Sequence, residues 1–308
     1  MEFEHVSVLL QESVDWLVTD PDGIYVDCTL GGAGHSREII SRLSPRGRLI
    51  GIDQDDDALA AARERLASVP CRVDIVKANF KDLKNVLQDL QTPQVNGFLF
   101  DLGVSSHQLD IARRGFSYMH EGPLDMRMDR QTGKTAAIVV NTYSEEALAD
   151  VIWRYGEERW SKRIAQFIVQ ARREKPLEST FQLVDVIKKA IPKGARKDGP
   201  HPAKRTFQAL RIEINDELGI LEQAVEDAVA SLVSGGRIGV ITFQSLEDRI
   251  IKQKLAQLAR GCTCPPHRPC VCGKKPLLQK PGNLLPGEEE IEKNPRARSA
   301  RFRFAEKL

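Results

Sequence analysis

Long hydrophobic runs are the first thing this 308-residue chain lacks. No stretch approaches the roughly 18 consecutive apolar residues a bilayer-spanning helix needs, which excludes a helical membrane protein. The opening stretch, MEFEHVSVLLQESVDW, carries acids and has no basic region ahead of an apolar one. No secretory signal is therefore expected, and the cytoplasm is the default compartment. An excess of charge of one sign is also lacking. Lys and Arg number 45 against 43 Asp and Glu, a net charge of +2. The whole-chain balance says nothing about a polyanionic partner, so local clusters must carry any such argument. No internal repeat is visible. Cysteine is sparse outside one segment: Cys28 and Cys71 stand alone, while Cys262, Cys264, Cys270 and Cys272 crowd together. Without an export signal a disulfide framework is not expected, and the cluster reads as a metal site or as reduced or redox-active thiols. Four thiolates suit tetrahedral zinc, but C-x-C-x5-C-x-C is tighter than the usual C-x2-C spacing. Both readings stay open and no metal ligand is assigned.

The length is more than one core usually needs and fits two domains, or one domain with a large insertion. Through residue 103, apolar strand-like runs at 23–30, 47–53, 72–80 and 95–103 alternate with helical patterns at 36–43, 55–68 and 81–90. Ser36 is a candidate N-cap for the first helix. Alternation of this kind implies parallel βαβ units in a sheet covered on both faces. The rhythm then stops. Residues 104–135 are polar, irregular and Met-rich, and helical patterns follow from Ser144, at 157–174 and at 179–190. Phe207, Leu210, Ile214, Leu218, Leu221, Val225, Ala228 and Leu232 recur at steps of three and four. That pattern predicts one long helix with a single apolar face, stopped by the SGG at 234–236. A strand at 237–243, a helix at 245–260 and an outer strand in the tail at 296–306 resume the sheet. The fold class is therefore α/β, a sheet domain interrupted by an α-helical insertion. The boundaries fall at 1–105 and 212–308 for the sheet domain and 106–211 for the insertion.

The stretch YVDCTLGGAGHS (25–36) runs from a strand into glycines and then toward a helix. Such a turn lets backbone approach a ligand closely and presents the N–H groups of a helix start. Asp53 ends LIGID, 19 residues after Gly34, where an acid can take ribose hydroxyls. Asp101 ends the fourth strand in the same way. The dinucleotide fingerprint wants a third glycine, but the chain has Arg37 there. That weighs against NAD or FAD and favours a nucleoside cofactor without phosphate. The bland reading is a tight turn that needs small residues, with Asp53 as a helix cap.

Several motifs together resemble one family. DCTLGGAGHS (27–36), FDLGVSSHQLD (100–110), GPLDMRMD (122–129), HPAKRTFQALRIEIN (201–215), FQSLEDRIIK (243–252) and NPRARSARFR (294–303) are similar to the MraW family of small-subunit ribosomal RNA methyltransferases. HVSVLL (5–10), GIDQD (51–55), RGFSY (114–118) and YGEERWSKRIA (155–165) extend the likeness over nearly the whole chain. The resemblance implies a Rossmann-like S-adenosylmethionine-dependent methyltransferase domain with an inserted helical domain that recognises RNA. It implies S-adenosyl-L-methionine as cofactor and N4-methylation of a cytidine in the decoding centre of 16S rRNA. The implied partner is 16S rRNA, with free rRNA or the assembled small ribosomal subunit both open as the acceptor form, and a homodimer left open. The implied cofactor contacts are Ala33, Gly34, His35, Asp53, Phe80, Asp101 and Gln108. Of these, Gly34, Asp53 and Asp101 also follow from the residues alone. A non-enzymatic RNA-binding factor that senses the same cofactor is the alternative from another class.

Methyl transfer from a sulfonium is an in-line displacement, so positioning can supply most of the rate. The difficulty is the cytosine amine, whose lone pair is conjugated into the ring. A carboxylate or backbone carbonyl accepting its N–H would help free that pair. Many amino-methyltransferases carry N-P-P-Y or D-P-P-Y after the fourth strand. This chain has DLGVSS there, so that template does not transfer and no catalytic base is assigned. The base must be unstacked to be reached. Three clusters supply candidate phosphate contacts. Residues 252–280 hold seven Lys and Arg and no acid, residues 193–211 hold six against Asp198, and residues 293–307 hold six against Glu306. Met126 and Met128 read equally as a base pocket or as packing of the insertion.

Overall fold

The computed structural model describes residues 7–131, 133–196, 201–260, 262, 264, 265, 267, 269 and 271–308. The chain divides into two compact units, Met1–Gly103 with Leu218–Leu308, and Val104–Glu217.

The first unit is built on a seven-stranded sheet. Its strands are β1 (Ile24–Asp27), β2 (Arg48–Asp53), β3 (Arg72–Lys77), β4 (Val95–Asp101), β5 (Leu232–Thr242), β6 (Gly282–Leu284) and β7 (Arg301–Glu306). The order is β3-β2-β1-β4-β5-β7-β6. The first five are parallel, and β7 runs antiparallel between β5 and β6. Successive side chains of a strand point to opposite faces, and here both faces are buried. Val26, Ile50, Ile52, Phe98, Phe100 and Val240 join one apolar cluster, while Tyr25, Leu49, Leu99, Ile241 and Phe302 join another. On the Tyr25 side pack residues of α1 (Leu10–Leu17), α2 (Gly34–Ser41) and α3 (Asp56–Arg65). On the Val26 side packs α4 (Leu83–Asp89). This is the Rossmann-like α/β architecture expected from the strand–helix alternation.

The second unit holds α5 (Ser106–Asp110), α6 (Ala136–Thr142), α7 (Glu145–Gly156), α8 (Ser161–Glu174), α9 (Thr180–Ala190) and α10 (Lys204–Asn215). Ser144 accepts from the Ala147 N–H at 3.1 Å and so caps α7 as its sequence suggests. Ile152, Ile164, Leu183, Ile187, Phe207 and Leu210 share one core. The irregular stretch before α6 is fixed by polar groups. Arg114 is buried and donates to the carbonyls of Arg127 at 3.0 Å and Met128 at 3.2 Å. Asn215 donates to the Met126 carbonyl at 2.9 Å and accepts from the Met128 N–H at 2.8 Å.

The chain returns to the first unit through α11 (Leu221–Ser231), α12 (Ser245–Arg260) and α13 (Glu288–Lys293). Three expectations are corrected here. The single long helix is two: Asp216 turns left-handed at φ 50° and ends α10, a conformation Asp tolerates better than most residues. The shared stripe conflated two cores, with Phe207 and Leu210 in the helical one and Leu221 and Val225 in the sheet one. The SGG lies inside β5, where the register jumps from Val95↔Leu232 to Gly97↔Arg237 and Gly235 takes φ 78°. The tail strand is not outermost, because three-residue β6 covers its far edge. Its Phe302 is fully buried, and Arg303 is paired with Asp248 at 2.6 Å and 2.8 Å.

Candidate functional site

Three parallel strands end on an aspartate: Asp27 on β1, Asp53 on β2 and Asp101 on β4. β1 and β4 are neighbours, and the strand order reverses between them. Ligands of open parallel sheets bind outside the strand C-termini at such a switch point. In register Asp27 lies opposite Gly51 and Leu99. Asp53 and Asp101 therefore each extend two residues past it, and the three carboxylates rim one end of the sheet.

Their environments push all three up. Asp27 is almost wholly buried, which raises its carboxyl, while the Ser36 hydroxyl at 2.7 Å and the Thr29 N–H at 3.1 Å restrain the rise. Burial lifts Asp53 to about 6, with the Asp55 and Gly31 N–H groups, each at 2.8 Å, holding it down. Burial lifts Asp101 furthest, to about 8, aided by the charges of Asp27 and Glu247. Asp101 Oδ1 is buried without a hydrogen-bond partner among the described residues, and so is Gln244 Oε1. Both are acceptors. Buried acceptors without donors are costly, and carboxylates gathered this way repel phosphate. The arrangement asks for a ligand that donates hydrogen bonds or carries positive charge.

The glycine loop bends over this rim. Gly31 and Ala33 are both left-handed, at φ 47° and 60°, and the Ala33 N–H closes the turn on the Leu30 carbonyl at 2.7 Å. A Cβ on Gly34 would overlap Ser7 Oγ, so a larger residue there would need the Ser7 side chain to turn aside. α2 starts at Gly34 with Ala33 as N-cap, and its ladder opens with Arg37 N–H on the Ala33 carbonyl at 3.0 Å. Ser36 is thus not the cap. It sits inside the first turn and spends its hydroxyl on Asp27. Arg37 is exposed on α2, away from the buried residues of that helix. The His35 ring is buried, with Nε2 3.1 Å from the Val8 carbonyl and Nδ1 3.6 Å from Asp101 Oδ2. Phe80 is half-buried after β3 and meets Phe100 edge-on at 5.7 Å.

The structure thus brings Ala33, Gly34, His35, Asp53 and Asp101 to one end of the sheet, with Phe80 following the neighbouring β3. Gln108 belongs to the other unit. There its carbonyl accepts from the Ser105 N–H at 3.1 Å, one half of a capping box on α5. Asp27 and Glu247 were missed by the sequence reading. The signal for Asp27 was available: YVD closes an apolar run on an acid as LIGID and FLFD do. Glu247 is 2% exposed and accepts from the Phe243 N–H at 3.1 Å and the Gln244 amide at 2.7 Å. Met126 and Met128 pack into the helical core, which favours packing over a base pocket.

The basic clusters thin out in three dimensions. Arg303 is held by Asp248, Arg211 by Glu217, and buried Lys254 by Glu226 at 2.6 Å. Lys307 donates to the carbonyls of Ala230 and Leu232 at 3.0 Å and 2.6 Å. Lys252, Arg260, Lys274, Lys275 and Lys280 remain exposed in the first unit. In the second unit Lys188, Lys189, Lys193 and Arg196 line a surface cavity of about 540 Å³. Lys197, Asp198 and Arg268 lie outside the described residues. Among the described residues, no helix is long and apolar enough to cross a membrane.

Sheet order and strand-end acids define a protein of Rossmann-like fold, with the glycine turn and three raised carboxylates gathered at the sheet's switch point. A sequence profile described as the MraW methylase family matches residues 2–308. The chain belongs to that family. A protein of Clostridioides difficile (strain 630) named Ribosomal RNA small subunit methyltransferase H is 56% identical over 313 aligned residues, covering 100% of both chains. A protein of the same name from Brevibacillus brevis is also 56% identical, over 100% of this chain and 99% of its own. Among solved structures, an rRNA methylase from Streptococcus thermophilus aligns at a TM-score of 0.45 with 11% identity, covering 99% of each chain. That likeness is too remote to bear on function.

Proposed function

We propose that the protein transfers the methyl group of S-adenosyl-L-methionine to N4 of a cytidine in the decoding centre of 16S rRNA, acting on the small ribosomal subunit. The observation that carries the donor half is the rim of raised carboxylates around the unpaired Asp101 Oδ1. S-adenosylmethionine offers what that rim lacks: ribose hydroxyls, an ammonium group and a cationic sulfonium, with no phosphate to be repelled. When bound, it supplies an already activated methyl group. Asp53 would receive the ribose hydroxyls, and Asp101 the cationic end of the ligand. The loop at Ala33 and Gly34 would bring backbone and the start of α2 to the carboxylate end, where helix N–H groups favour an anion. His35 would hold Asp101 in place through its ring while its own Nε2 is fixed by Val8. Phe80 would offer an apolar wall to adenine, and Gln108 enters on the family resemblance alone.

The acceptor half rests on the full-length identity with proteins named for the small-subunit RNA. Exposed lysines and arginines of both units would neutralise phosphates. A mass map of 16S rRNA from cells lacking the protein tests the proposal. The N4 methyl on the decoding-centre cytidine is expected to disappear and to return on complementation. A cytidine that keeps its N4 methyl in those cells would refute it.

A further inference from the structure

The cysteine segment is not used by this function. Its two ends are fastened. α12 ends at Arg260, the Leu277 N–H returns to the Leu258 carbonyl at 2.9 Å, and Leu278 bridges to Lys307. Within the excursion, the sulfur atoms of Cys262, Cys264 and Cys272 all lie within 4.8 Å of one another. Cys272 Sγ is 3.6 Å from Cys262 Sγ, and the Cys264 N–H donates to Cys262 Sγ at 3.4 Å. Cys270 lies outside the described residues.

We propose that Cys262, Cys264 and Cys272 bind one zinc ion. Zinc–thiolate bonds of about 2.3 Å in a tetrahedron place sulfurs about 3.8 Å apart, close to the 3.6 Å between Cys262 and Cys272 and within the 4.8 Å that bounds all three. Among the described residues, none of the three cysteines belongs to an apolar core. Cysteine outside disulfides is usually among the most buried residues, whereas these three are only half-buried and neighbouring Val271 is 90% exposed. The N–H on Cys262 Sγ is the kind of outer contact that orients a metal-bound thiolate. Charge agrees as well. Three thiolates on a dication leave one negative charge, and residues 252–280 hold no acid to oppose it, with Arg260, Lys274 and Lys275 exposed nearby in sequence. A disulfide would use two of the sulfurs and leave the third without a reason to be there. On binding, each thiol gives its proton to solvent as its sulfur takes the metal. Three thiolates leave one tetrahedral position, for a further protein donor or water. A metal here would hold the basic excursion in one register against α12.

The test uses the full chain, purified under reducing conditions without chelator. Elemental analysis is expected to find about one zinc per chain, and Cys264→Ser and Cys272→Ser chains to lose it while keeping the melting transition of the core. After chelator stripping, cobalt(II) titrated into the native chain is expected to give a sulfur-to-cobalt charge-transfer band saturating at one equivalent. The cobalt result decides the matter if a variant fails to fold. Zinc far below stoichiometry together with no cobalt band overturns the proposal. So does iron in place of zinc, or a Cys262–Cys272 disulfide found by mass in the reduced preparation.

Discussion

In the sheet unit, Asp101 is buried, has no hydrogen-bond partner on Oδ1 among the described residues and is pushed up to about 8. In the helical unit, Asp125 meets the opposite fate. Burial would raise it, but Arg127 at 2.8 Å and 2.9 Å outweighs that and holds it below the usual carboxylate range. The same contrast repeats around them. Among the described residues, Asp27 and Asp53 sit at strand ends with hydroxyl and N–H donors and no cationic partner. Glu217 and Glu213 of the helical unit are met by Arg211 and Lys134. Buried charge is costly unless paired. Paired groups in the helical unit hold the fold, whereas the strand-end carboxylates are stabilised once a donor or cation arrives. The difference separates carboxylates already paired within the fold from carboxylates that, under the proposed function, wait for a ligand.

Substitutions can break that comparison. The largest effect is expected from Asp53→Ala, which should weaken S-adenosylmethionine binding by on the order of 100-fold, the loss of about 2–3 kcal/mol of charge-assisted hydrogen bonding. The melting transition should persist, and calorimetry of the folded variant with undiminished affinity would remove Asp53 from the site. Arg211→Ala should do the reverse. It strands Glu217, 9% exposed, and should cost about 2–3 kcal/mol in urea unfolding with donor affinity unchanged.

Asp101→Asn should stabilise the ligand-free protein in a pH-dependent way. The folded carboxyl sits near 8, above its ordinary value of 3.8, so the folded state holds the proton more tightly. The stability this gives the native chain is complete below about 4 and is lost as pH rises toward about 8. The melting advantage of the variant should therefore widen across that window, reaching several degrees at its upper end. A constant offset would contradict the raised carboxyl of buried Asp101. Smallest should be the effect of Lys274→Ala with Lys275→Ala on RNA binding, a fall of about 2 in the salt slope with binding otherwise retained. An unchanged slope would take this segment out of phosphate contact.

Much of the sheet was legible because buried parallel strands read as apolar runs, and Asp53 and Asp101 each close one. Asp27 closes YVD in the same way but hid beside the glycines that drew the reading onward. The helical unit was less legible, since polar contacts from distant residues fix its irregular part. Asn215 reaches the GPLDMRMD stretch from far along the chain, and Arg114 folds back onto it from just upstream. Periodicity failed at Asp216 because two helices of different cores happened to keep one phase. The tail misled for a related reason. Arg303 looks solvent-facing in a pattern of alternating charge, yet it is buried and paired with Asp248 of α12. Lone charge counts cannot tell a phosphate-binding lysine from one already paired, as Lys254 shows with Glu226.

The most direct test is calorimetry of the full chain with S-adenosylmethionine at pH 7, repeated in buffers of different ionisation enthalpy. With Asp101 near 8 in the ligand-free state, its carboxyl is mostly protonated at that pH. A cation settling against it should expel close to one proton. The account predicts S-adenosylmethionine binding coupled to proton release, with the release gone in Asp101→Asn and no binding of NAD. NAD binding without S-adenosylmethionine binding, or proton release undiminished in the variant, would contradict it.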